Sequence, residues 1–113
     1  MEDNTAKKIT HEDLVFIKVS DRSQVYLPRL KSYDAIIIEY SYRLATMEII
    51  KNIRCHNDEA IYLMPIFVYR LYGDSGSNHP LIDGMIQSLN NLDRVAEKTR
   101  KIQSRMKTQV NGR

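Results

Sequence analysis

Apolar positions alternate between short unbroken runs and stripes of helical period. Leu14–Val19, LVFIKV, is rich in β-branched and aromatic residues and predicts a first strand behind a polar leader, residues 1–13. Val25, Leu27 and Leu30 then fall on one side of a short helix, which Pro28 weakens or kinks. Asp34 to Glu39, DAIIIE, is an apolar run with polar bounds, as expected of a central strand covered on both faces in a parallel sheet. In RLATMEIIKNIR, Leu44, Met47, Ile50 and Ile53 recur every three residues, with Ile49 beside them, predicting an amphipathic helix. CHNDEA interrupts the pattern. IYLMPIFVY supplies a third strand from about Pro65, because proline is tolerated at a strand's first residue. LYGDSGSNHP is loop, LIDGMI is a short fourth strand, and residues 89–106 form a long helix without proline or glycine.

Strands alternating with helices predict a three-layer α/β domain: a flavodoxin-like parallel sheet of about four strands flanked by helices, with a long C-terminal helix. The expected division is a leader over 1–13, the α/β domain over 14–92, a helix over 89–108 that is part packed and part projecting, and a flexible tail over 109–113. In such sheets ligands gather at the carboxyl ends of the strands. Glu39, Tyr40, Tyr69 and Arg70 belong there, with Asp21 just beyond the first strand.

YDAIIIEYSYRLATMEIIKNIR followed by PIFVY resembles the centre of a response-regulator receiver domain of two-component signalling. In that family a strand carries the phosphoacceptor aspartate, a helix ends in Ile-Arg and a strand opens with proline; Ile53-Arg54 and Pro65 fall in those places. LIDGMIQSLNNLDRVAEKTRKI is similar to the family's last strand and helix, so the resemblance covers about residues 14–105. It implies a phosphoacceptor at the position of Glu39, a Mg²⁺ held by an acid pair after the first strand, and a lysine near Gln87 or Ser88. The chain departs from each: Glu39 is one methylene longer than aspartate, only Asp21 is available as an acid, and Ser88 offers no cation. The connection from LVFIKV to DAIIIE is also too short for the helix, strand and helix of the family. Its first strand and helix are therefore missing, and either the sheet closes without them or another segment supplies them.

Charge is divided unevenly. From Asp93 on, seven Lys/Arg face two acids, +5, whereas the preceding residues carry −2. On the last helix Leu92, Ala96, Thr99, Gln103 and Met106 step at heptad spacing, with Ile102 beside them, which predicts a weak dimer or partner seam beyond Ala96. No apolar run approaches the ~20 residues of a membrane span, and the polar N-terminus lacks a signal core, so a cytoplasmic protein is expected. Cys55 is the single cysteine, excluding an internal disulfide. Cys55-His56-Asn57-Asp58 reads as a solvated turn, because neighbours on a turn rarely converge on one atom. The tyrosines near strand ends read as core edges.

These readings converge on a non-catalytic, receiver-like regulatory module without a cofactor, acting on a protein partner or output domain or by homodimerising through its last helix. The alternative is a working phosphoacceptor using Mg²⁺ and a pocket of Glu39, Asp21, Tyr40, Tyr69, Arg70 and Ser88. Nucleic-acid binding by the basic tail is the weaker reading, since no recognition motif accompanies it.

Overall fold

A computed structural model describes residues 7–19, 26–40, 46–69, 81–86, 88–90 and 92–111, the last six by backbone alone. The elements are β1 (Lys7–His11), β2 (Leu14–Val19), a 3-10 helix (Leu27–Ser32), β3 (Ala35–Glu39), α1 (Thr46–Arg54), α2 (Glu59–Tyr62), β4 (Ile66–Tyr69), β5 (Gly84–Ile86) and α3 (Asp93–Asn111). The sheet has five strands in the order β1-β2-β3-β4-β5. β2 to β5 are parallel, and β1 runs antiparallel to β2.

The α/β architecture and parallel centre match the expectation from pattern, and two features correct it. The sheet is mixed and one strand larger, because residues 7–11 of the leader pair along β2 from Lys7↔Lys18 to His11↔Leu14. An edge strand needs little apolar signal: Ile9 alone packs inward, while exposed Lys7 and Lys8 protect the edge. The Glu12-Asp13 turn joins the two strands, with Glu12 at φ 56, the left-handed value that tight hairpins require at their first central position. The helix after β5 begins at Asp93 rather than near 89 and continues to Asn111 rather than 106.

The short β2–β3 connection has a simple outcome. Phe16 pairs with Ala35 and Val19 with Ile38, so the sheet closes without an inserted strand. Strand order then advances in one direction, with none of the reversal of the 2-1-3-4-5 order. Right-handed crossovers between sequential parallel strands put their connections on one face. The 3-10 helix, α1 and α2 accordingly pack Leu30, Ile49, Ile50, Ile53 and Ile61 against Ile17, Val19, Ile36, Ile38, Ile66 and Val68. Pro28 sits in the first turn of the 3-10 helix, where its missing N–H is not needed.

α3 covers the opposite face, with Leu92, Val95 and Ala96 packed on Leu14, Phe16, Ala35, Ile37 and Phe67. Gly84 makes room in this layer for the Phe67 ring beside it and for Lys98 of α3, since a Cβ there would meet Phe67 Cδ1 at 3.2 Å and Lys98 Nζ at 3.3 Å. Thr99 is fully buried, and its hydroxyl has no hydrogen-bond partner among the described residues. A desolvated hydroxyl left unpaired costs about 1–3 kcal/mol. Thr99→Val keeps the shape and removes the hydroxyl, so it is expected to stabilise the protein by about 1 kcal/mol in urea denaturation.

Candidate functional site

The carboxyl ends of β2, β3 and β4 bring together Lys18, Glu39, Tyr40 and Tyr69. Alternation along the strands puts Lys18 on the same face as Leu14 and Phe16, and the Glu39↔Tyr69 register sets those two side by side. Lys18 Nζ lies 3.9 Å from Glu39 Oε2 and 5.9 Å from the centre of the Tyr69 ring. The Lys18 side chain is 18% exposed and that of Glu39 36%, so the pair sits at the rim of the core rather than in open solvent. The Tyr40 N–H donates to Tyr69 O at 2.9 Å, and Thr46 Oγ1 donates to Glu39 O at 3.0 Å. Strand end and helix start are thereby joined through the backbone of Glu39.

This arrangement sets the chemistry available. Among the described residues Glu39 has an ammonium beside it and no second carboxylate, whereas Mg²⁺ demands an octahedron of oxygens. The described residues do not fit that ion. Ser88 is used locally, accepting the N–H of Asn90 at 3.0 Å. Asp21 and Arg70 lie outside the described residues. Lys18 was legible only as the single polar residue of LVFIKV; its partner is across the sheet and has no signature in sequence spacing.

The seam foreseen on the last helix is buried within the chain from Leu92 to Thr99. Leu92, Ala96 and Thr99 are buried, Ile102 and Gln103 are half-buried, and Gln103 Nε2 donates to Asp34 Oδ1 at 2.9 Å. The expectation that the helix projects beyond Ala96 is therefore corrected as far as Gln103. Its reason is Asp34, which also accepts the Val15 N–H at 2.7 Å and anchors α3 at the entry to β3. The Met106 side chain lies outside the described residues.

Three further clusters were not foreseen. Arg54, at the end of α1, donates Nε to Leu81 O at 2.9 Å, Nη1 to Tyr62 O and Met64 O at 2.7 Å each, and Nη2 to Asp83 Oδ2 at 2.9 Å. Asp83 also accepts the Ile66 N–H at 2.7 Å. Burial lowers the Arg54 pKa, and the charge of Asp83 opposes the shift.

At the β1–β2 turn, Arg100 reaches both Glu12 and Asp13 at 2.7 Å. Its hydrogen bond holds the Asp13 carboxyl below the usual range, so this exposed contact is present at neutral pH and is lost as acid protonates Asp13. His11 Nε2 is 3.0 Å from Asp93 Oδ1, and His11, Glu12 and Asp93 place possible ligand atoms within 4.8 Å of one another. The guanidinium of Arg100 already supplies the positive charge there.

In the Cys55–Asp58 segment the polar groups serve local structure: Asp58 N–H donates to His56 Nδ1, Asp58 Oδ1 caps α2 through the Ala60 N–H, and Asp58 Oδ2 lies 3.6 Å from Lys31 Nζ. Among the described residues no helix is long and apolar enough to cross a membrane. No family model, curated protein or solved structure matches the chain.

Proposed function

We propose that this chain is a non-catalytic regulatory module of receiver type, acting in signal transduction by protein contact. The observation that carries the reading is the Lys18–Glu39 pair at the carboxyl end of the parallel strands. A carboxylate occupies the position where the resembling family is modified, but a neighbouring strand already balances its charge. Such a pair is worth at most about 1 kcal/mol. Its value here is to hold the strand-end carboxylate in one place beside Tyr40 and Tyr69. Tyr40 is one of two large apolar side chains exposed among the described residues, and it makes this edge the proposed contact surface, since aromatic residues are enriched at protein interfaces. We favour this surface over the seam of α3, because the seam is buried in the fold from Leu92 to Thr99.

A ligand stabilises only the state that binds it. Thermal unfolding with Mg²⁺ and beryllofluoride, a mimic of an acyl phosphate, is therefore expected to match unfolding without them. A Mg²⁺-dependent rise in melting temperature that disappears in Glu39→Gln would overturn the reading in favour of a working phosphoacceptor.

A further inference from the structure

Arg94, Lys98, Lys101 and Arg105 follow one another along α3 at spacings of four, three and four, and all are exposed. At 3.6 residues per turn they lie within about 60° of one another around the helix and extend along about 16 Å of it. The row faces away from the buried Leu92, Val95, Ala96 and Thr99. Lys98 Nζ donates to Asp83 O at 3.1 Å, which ties the row to the sheet. Glu97 offsets part of the charge, lying 3.7 Å from Lys101. Asp93 is at the flank against His11, and Arg100 is off the row, clamped by Glu12 and Asp13. The composition of the tail predicts a basic segment; the structure aligns four of its cations.

We propose that this row binds the phosphate backbone of a nucleic-acid duplex without regard to sequence. On one flank the row is bordered by Glu97 and Ser104, both polar and exposed, and on the other by Ile102, which is half-buried towards the sheet, so the row itself has no apolar or aromatic centre of the kind a protein interface is built on. Insertion into a lipid surface would need the apolar half of α3, which is committed to the sheet. A phosphate backbone asks only for regularly placed Lys and Arg. The surface is separate from the Lys18–Glu39 edge, and either proposal can fail without the other.

The test is fluorescence anisotropy of a labelled duplex titrated with the full chain, over salt from about 20 to 200 mM. Neutralising four phosphates predicts a slope of log affinity against log salt near −3.6, at about 0.9 per contact. Arg94→Gln with Arg105→Gln removes two contacts and should halve that slope to about −1.8. Lys51→Gln, an exposed change on α1, should leave the slope unaltered, and thermal melts check that each variant is folded. Absence of binding at the lowest salt, a double variant indistinguishable from the parent, or equally tight binding to polyglutamate of matched charge or to phosphatidylserine vesicles would each overturn the proposal.

Discussion

Arg54→Ala is expected to lower stability by about 3–4 kcal/mol, because it removes one partner of a partly buried ion pair and, with it, three charge-assisted hydrogen bonds to backbone carbonyls. The side chain spends its donors on the carbonyls of Tyr62, Met64 and Leu81 and on Asp83. The substitution leaves all four acceptors without it, and the Asp83 carboxylate without its cation, while Asp83 still has to hold the Ile66 N–H at the start of β4. α1, the turn after α2, β4 and the entry to β5 would lose their common tie together. Chemical denaturation reads the loss directly, and thermal melting should fall by about 12–16 °C, taking about 4 °C per kcal/mol for a chain of this size. Arg54→Lys should recover little, because a single ammonium cannot reproduce the planar fork. In a double-mutant cycle, Arg54→Ala and Asp83→Asn should cost less together than the sum of the two alone, since both remove the same contact. Additivity of the two would mean that the carbonyl bonds, not the ion pair, hold this corner.

The role of Arg54 also marks where reading the chain from pattern runs out. Ile50 and Ile53 announce their burial by period, and residues 35–38 announce a two-sided strand, because repetition along the chain mirrors repetition in space. An arginine at a helix end has no such signal: its acceptors lie 8 to 29 residues away and three of the four are backbone carbonyls, which every residue possesses. The same holds for Lys18 and Glu39, which are 21 positions apart and meet only because β2 and β3 are adjacent. The first strand was hidden for a different reason. Its stability comes from the ladder with β2, so one inward residue, Ile9, suffices and no alternating stripe develops. On α3 the heptad spacing was legible, and so was the packing of its first half on the sheet, where Leu92, Val95 and Ala96 meet Phe16, Ile37 and Phe67. Beyond Ala96 a stripe that fits another helix fits a sheet face equally well, and only the burial of Thr99 decides between them there.

Ala96→Glu separates those two uses of the stripe with the largest contrast. Ala96 is 1% exposed between α3 and the sheet. A glutamate there adds volume to a closed layer and carries a carboxylate into an apolar cluster, where no cation among the described residues is positioned to receive it. The expected loss exceeds about 4 kcal/mol, enough to abolish cooperative unfolding for a domain whose whole stability is of order 5–15 kcal/mol. Ser104→Glu, on the exposed side of the same helix, should change stability by less than about 0.5 kcal/mol. The readouts are near-ultraviolet circular dichroism and sedimentation velocity on the same samples. A seam between two chains would give a different result: the Ala96→Glu protein would stay folded with unchanged dichroism and only its sedimentation coefficient would fall, as a dimer separates into monomers. Loss of tertiary dichroism in Ala96→Glu with no loss in Ser104→Glu assigns the stripe to the core of a single chain and leaves the outward row of cations as the surface α3 presents to a partner.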